Sequence, residues 1–347
     1  MTNRASTISK LSRLLSLSLN PRRTSSDYIA LHTYLKNNNK KLPESIKNAA
    51  YEYAHDVLRG DKDYYALCYY AMQHGEFKEG WITESFYLRN VMPSLNNHIG
   101  SLTDQKSLTR RILGLRETAD LCYVINGELF DTDFIRISPQ AAIELCRAHG
   151  DQVFHKCDGS MNGKGVSRLD TASLTADALS ALPNGCLQRP IRQHAFFDRM
   201  TRNSLGTIRV LTLRNGRGDI EVRGHFLRVG LDAELWVAAK GGVRIGILNS
   251  DGDLAFKGRL SDQTEVTAHP DSGFRFEGAR IPHFGEALEF CKSLHERSPH
   301  MRFVGWDVAI NEQGKPELIE WNGTPGIGLV EGTIGPCFRD LHWERYR

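Results

Sequence analysis

The chain has 347 residues, 40% of them hydrophobic and 24% charged. That balance excludes a disordered chain and a collagen-like or coiled-coil rod, and the length is enough to bury a core without disulfides. The net charge of +3 is uneven: Arg4, Lys10, Arg13, Arg22 and Arg23 fall within residues 1–26 without a single acid, so the rest of the chain is slightly acidic and offers no basic face for nucleic acid.

In the basic segment Ile8, Leu11, Leu14 and Leu15 recur at helical spacing. Three readings stay open there: a transit peptide, a helix making weak contact with a membrane surface, or a basic helix packed on the body of the protein. No stretch approaches the ~18 apolar residues of a transmembrane helix. Seven scattered cysteines with no CxxC read as reduced thiols of a cytoplasmic protein, not as a disulfide or zinc framework.

Residues 27–100 read as mainly helical. Periodic stretches at 27–36, 43–58 and 64–73 are broken by Asn37-Asn38-Asn39 and by Gly75 and Gly80. Thr103 or Asp104 then stands as the N-cap of a helix over 105–115. After Asp120 the pattern turns to strand at 121–125, a tight turn at Asn126-Gly127 and a return at Leu129. Ser138-Pro139 opens a helix over 140–149, with proline at its first position. Strands follow at 152–156, 187–191, 207–213, 220–229, 243–248 and 303–310, interrupted by one helix at 284–295. The expected class is α+β, with two lobes and a helical region ahead of them.

Two segments carry chemistry. The loop from Gly159 to Gly165, including Ser160, Gly163 and Lys164, follows a short strand that ends in Lys156, and its backbone N–H groups can cradle phosphate oxygens. It is neither a Walker A loop, since Gly159 and Gly163 enclose three residues, nor a dinucleotide fingerprint, since Arg168 stands where a third glycine would be. A surface hairpin with a plain tip is the competing reading. The second segment is a hairpin, Gly305–Ile310 returning through 317–322. With Gln313-Gly314 as a two-residue turn, Asp307 sits opposite Glu320, and Asn322 shares the face of Glu320. Two carboxylates facing each other across a ladder repel, which suits a cation between them. Asp, Glu and Asn are hard oxygen donors of the kind magnesium takes. Otherwise one carboxylate turns to solvent through a bulge or meets an arginine.

The order of these pieces resembles the ATP-grasp superfamily, and more narrowly the sugar-transfer-associated ATP-grasp family related to α-L-glutamate ligases. Lys106 after Leu102-Thr103-Asp104-Gln105 resembles the first nucleotide lysine, and Lys156 with its glycine loop the second. Cys186–Ile191 resembles the hinge that receives adenine, and Asp307, Glu320 and Asn322 the magnesium triad. Glu76-Phe77, Gly80-Trp81, Gln188–His194, Ser204–Arg209, His269–Gly273 and Val304–Asp307 support the narrower family, over roughly 75–330. The sequence departs from many relatives at Gln188, at Met161-Asn162 and at Asp232-Ala233-Glu234, which lacks an Asn.

The resemblance implies an ATP-grasp fold, with a helical region over 1–100, a lysine-bearing lobe over 101–190 and a metal-bearing lobe over 191–347. It implies an ATP- and Mg2+-dependent ligase joining a small-molecule carboxylate to an amine through an acyl phosphate. The substrate would be an amino acid, a peptide or a sugar acid. Lys106, Lys156, Ser160, Gly163, Lys164, Gly165, Gln188, Arg189 and Ile191 would bind ATP, and Asp307, Glu320 and Asn322 the metal. Arg209 and Arg228 are the candidate catalytic residues, for the transferred phosphoryl group or the substrate carboxylate; each could instead pair with an acid on the sheet. His194 could touch ribose or be a structural histidine, and His269 reads as a loop anchor more than as a base. A phosphotransferase using the same site, or a nucleotide-binding protein of polysaccharide assembly without catalysis, are the rival readings.

Overall fold

The computed structural model describes residues 25–160, 165–232 and 241–346. The expectations for the basic terminus, and those for Gly163 and Lys164, fall outside the described residues.

Three helices open the chain: α1 (Ser26–Asn37), α2 (Glu44–Glu52, prolonged by a π turn Tyr53–Val57) and α3 (Tyr64–His74). Ser25 caps α1 by accepting the Tyr28 N–H, and Gly75, at φ +83°, ends α3. Eight of the eleven α3 residues are buried, so it forms the middle of the helical region. The expected helix over 105–115 is absent. In its place stand 3-10 turns at Asn97–Asp104 and Lys106–Leu108 and one α turn at Thr109–Ile112. Tertiary bonds explain the difference: Asp104 gives its carbonyl to the Gly159 N–H, while Thr103 donates to the Gly100 carbonyl and accepts from Gly323. The side chain that bonds the N–H of Ser107 is Asp158, from across the site.

A five-stranded antiparallel sheet follows, built from β1 (Asp120–Ile125), β2 (Glu128–Phe130), β3 (Gln152–Cys157), β4 (Val166–Asp170) and β5 (Gly185–Gln188) in the order β2-β1-β5-β3-β4. Its helix, α4 (Pro139–Ala148), is capped by Ser138 and buries Ala142, Ile143 and Cys146 against Leu121, Val153 and Leu187. Strand β5 ends three residues earlier than expected, because Pro190 has no N–H to continue the ladder.

The second sheet has seven antiparallel strands: β6 (Thr207–Arg214), β7 (Ile220–Val229), β8 (Val243–Ile247), β9 (Leu254–Leu260), β10 (Glu265–Val266), β11 (Phe303–Ile310) and β12 (Pro316–Asn322), in the order β10-β9-β8-β7-β6-β11-β12. Strands β4, β9 and β10 had no clear apolar alternation; β9 even leaves Phe256 half exposed. Side-chain alternation divides this sheet into two faces. Val210, Leu227, Ile245 and Val308 pack under helix α5 (Phe284–Glu296). On the opposite face, Leu211, Leu213, Phe226 and Phe303 join one core with the N-terminal helices and α6 (Gly328–Thr333). The helical region therefore covers part of that face, and the remainder looks across a cleft at the five-stranded sheet.

Candidate active site

The β11–β12 hairpin positions the two carboxylates by an unexpected route. Its loop has three residues, not two: Asn311 closes on Lys315, and the Asn311 Oδ1 accepts the N–H groups of Gln313 and Lys315. Gly314 takes φ +79° with the His283 ring where a Cβ would stand, so only glycine fits. A three-residue loop alone would set Asp307 opposite Ile319. A bulge after Val308–Leu318 inserts one residue, and Asp307 pairs with Glu320, and Gly305 with Asn322. Trp306 and Trp321 point to the other face, where their rings stack in the core 5.9 Å apart.

The bulge also ties the two sheets together. Lys156, at the end of β3, donates its Nζ to the Ile319 carbonyl at 3.0 Å. Lys106 donates to the Ser160 carbonyl at 2.8 Å, while Ser160 Oγ donates to Cys157 O. Lys106, Lys156, Ser160, Gln188, Arg189, Ile191, Arg209, Arg228, Asp307, Glu320 and Asn322 all line one cleft of about 990 Å³, a size in the range of small-molecule sites. Gly165 instead serves the base of the loop, its carbonyl accepting the Cys157 N–H.

Of the two arginines, Arg209 is committed. Its Nε and Nη2 hold both oxygens of Asp307 at 2.5 and 2.7 Å. Gly305 leaves the space for this fork, since a Cβ there would lie 3.2 Å from the guanidinium and 2.7 Å from Pro325. Arg228 is only 9% exposed, and its Nε has no acceptor among the described residues. The titration of the carboxylates follows from these contacts. Burial favours the neutral form of Asp307, but the charge and hydrogen bonds of Arg209 outweigh it and hold the carboxyl below its usual range. Glu320 goes the other way: burial, then the charge of Asp307, push its carboxyl up, against Lys156, Arg209 and Lys106.

A divalent cation fits this donor set. Arg209 uses one lone pair on each Asp307 oxygen, and each oxygen carries a second. Glu320 makes no ion pair among the described residues, and a nearby cation would relieve the raised carboxyl. Among the described residues Asn322 Oδ1 accepts only the Thr324 N–H. Among the described residues, no cluster of three His, Cys, Asp or Glu side chains offers a softer or more carboxylate-rich alternative.

At the hinge, Gln188 donates Nε2 to Asp120, its amide oxygen accepts from none of the described residues, and the Arg189 N–H is taken by the Ala119 carbonyl. The Arg189 guanidinium pairs with Glu317 at 2.9 Å. His194 accepts the Phe196 N–H as a helix cap, and His269 is buried against the Gly230 carbonyl; both are structural. Three further cleft residues carry no motif in the sequence. Glu84 accepts the Ile327 and Gly328 N–H groups at 2.7 Å each, and Asp27 and Arg244 line the same end of the cleft. Only the alternation of Arg244 with the apolar residues of its strand could have placed it on this face.

A family model for sugar-transfer-associated ATP-grasp proteins matches residues 146–339, more than half of the chain. The chain belongs to this ATP-grasp family. No curated protein matches it. Among solved structures, this ATP-grasp chain is similar to the ATP-grasp ligase PsnB complexed with minimal precursor, at 14% identity and TM-score 0.39 over 72% of this chain and 62% of that one. It is also similar to N5-carboxyaminoimidazole ribonucleotide synthetase from Thermotoga maritima, at 11% identity and TM-score 0.37 over 66% and 44%. The Aspergillus clavatus N5-carboxyaminoimidazole synthase, in complex with ADP and 5-aminoimidazole ribonucleotide, gives 11% identity and TM-score 0.40 over 66% and 47%. The chain thus spans less than two thirds of the length of each. Among the described residues no helix is long and apolar enough to cross a membrane.

Proposed function

We propose that this protein is an ATP- and magnesium-dependent ligase that joins a carboxylate to an amine. The observation that carries the reading is the meeting of Lys106, from the 3-10 turn ahead of β1, and Lys156 of β3 with Asp307, Glu320 and Asn322 of the β11–β12 hairpin around a single cleft. The residues 101–190 and 191–347 act as the two halves of the grip, with the described residues of 1–100 as a helical wall. A free carboxylate is a poor electrophile, because amine attack would have to expel an oxide. Transfer of the γ-phosphoryl group to a carboxylate oxygen releases ADP and gives an acyl phosphate. The amine nitrogen then bonds to the acyl carbon, the C–O bond to phosphate breaks, and the nitrogen loses a proton.

Each of the protein's own groups has a part in this. Lys106 and Lys156 hold the phosphates, trading their neutral carbonyl partners for charged oxygens. Gly163, Lys164 and Gly165 belong to the loop that closes over the γ-phosphate. The Gln188 oxygen and the Ile191 N–H face adenine. Arg228, without a carboxylate of its own, takes the reacting carboxylate or the transferred phosphoryl group, while Arg209 positions Asp307. Glu320, Asn322 and Asp307 would hold magnesium, which would supply positive charge to screen the phosphate oxygens. The deciding experiment is an ADP-release screen over pairs of amino acids and sugar acids, with mass analysis of the product. An amide formed only when an amine is present supports the ligase. ADP release with a phosphorylated hydroxyl would make it a kinase, and ATP binding without turnover across the panel would make it a non-catalytic partner.

A further inference from the structure

Beyond the carboxylates the cleft runs toward the N-terminal helices, and its floor there is a row of arginines. Arg228 of β7, Arg244 of β8 and Arg259 of β9 stand in direct register, on one face and about 5 Å apart strand to strand. Like charges opposite each other destabilise a sheet, so the row requires compensation. Arg259 turns away to donate to Thr333 on α6. Arg228 and Arg244 line the cleft, make no ion pair among the described residues, and each keeps a buried Nε without an acceptor. Among the described residues Arg244 donates to a neutral carbonyl, that of Leu260, at 2.8 Å. The nearest acid in the row, Glu265 opposite Arg259, is taken by Tyr34, Lys40 and Lys257. Asp27 and Glu84 line the same end of the cleft, and Asp307 and Glu320 act on Arg228 through their charge, but none forms an ion pair with Arg228 or Arg244 among the described residues. Two cations so placed on a cavity wall are the complement of an anion.

We propose that Arg244 holds a second carboxylate of the substrate, one strand further from Glu320 than the carboxylate that reacts. The substrate would then be a dicarboxylate such as an acidic amino acid or a sugar acid with a second acid group. A single phosphate group would call on Arg228 and Arg244 at once, and Arg228 serves the reacting group. This rests on the ligase reading in one respect, the assignment of Arg228 to that group. Tyr69 and Tyr70 of α3 and Leu329 of α6 close this end of the cleft, so the helical region sets the length of substrate accepted.

Calorimetric titration of the full chain with glutarate and with butyrate, in the presence of ADP and magnesium, tests the proposal without any turnover. Glutarate is expected to bind at least tenfold more tightly than butyrate. Arg244→Gln should erase that preference and Arg244→Lys keep part of it, while ADP affinity stays within twofold in all three proteins and so reports an intact fold. Equal binding of the two acids, binding of neither, or a preference that survives Arg244→Gln would overturn it. A glutarate preference in a chain that never forms an amide leaves the pocket standing and ends the ligase reading. Amide formation from monocarboxylates without the preference does the reverse.

Discussion

The two sheets hold their charges in opposite ways. On the five-stranded side Lys106 and Lys156 rest on neutral carbonyls, of Ser160 and Ile319, and an incoming phosphate can replace either at little cost. On the seven-stranded side Asp307 and Arg209 are locked together in a buried two-point fork. One side of the cleft offers charge on exchangeable neutral partners and the other a fixed frame, the division expected of a site that must both capture a polyanion and align it.

The sharpest way to break that contrast is Glu320→Gln. It removes a cleft-lining carboxylate that makes no ion pair among the described residues, so ADP formation should fall about a thousandfold, roughly 4 kcal/mol. Because it also relieves a raised, buried carboxyl, the urea midpoint should hold or rise. Turnover within tenfold of wild type would remove the metal assignment. Arg209→Ala should act on stability instead. It strands a buried carboxylate, and breaking such a pair costs about 3–5 kcal/mol in urea unfolding. A loss under about 1 kcal/mol would show that the fork is not part of the frame.

Lys156→Ala sharpens the other side. Losing one charge-assisted contact, worth about 1.5–3 kcal/mol, should raise the KM for ATP about ten- to a hundredfold, with little change in unfolding. A stability loss as large as that of Arg209→Ala would mean that the lysines too are structural. The smallest effect belongs to Glu265, which ties α1 to β10. Burial works against its ionisation, but hydrogen bonds from Tyr34, Lys40 and Lys257 bring the carboxyl down to about 2. A depressed carboxyl stabilises the fold above its unfolded value, near 4.5, and that stability is lost as pH falls through about 2. Glu265→Gln should therefore cost about 1–2 kcal/mol at pH 7, once solvent screening of the lysine pairs is allowed for, and flatten the acid limb between those values. An unchanged acid limb would show that the link contributes nothing.

The hairpin is legible in the sequence because its residues are close along the chain and alternate cleanly, yet its expected pairing arises by a different route. The Asn311 side chain pulls the loop to three residues, and the bulge at Ile319 restores the register that a two-residue turn would have given. Two local deviations cancelled. The stretch after Thr103 went the other way: its propensity is helical, but Asp158 and Gly159 hold it in 3-10 turns from 51 or more residues away in sequence. The fork on Asp307 was left open, since nothing in the sequence shows which acid an arginine on a neighbouring strand will meet. Arg244, Asp27 and Glu84 lie in unremarkable local sequence, and only the packing of the helical region against the sheet brings them to the cleft.

Manganese substituted for magnesium and followed by electron paramagnetic resonance reports on the centre most directly. The wild-type chain should bind Mn2+ tightly only once ADP is present, and Glu320→Gln should lose that ADP-dependent binding while still taking up ADP. Mn2+ binding that is indifferent to ADP, or equal in Glu320→Gln and wild type, would contradict a metal–nucleotide site between the hairpin and the lysines.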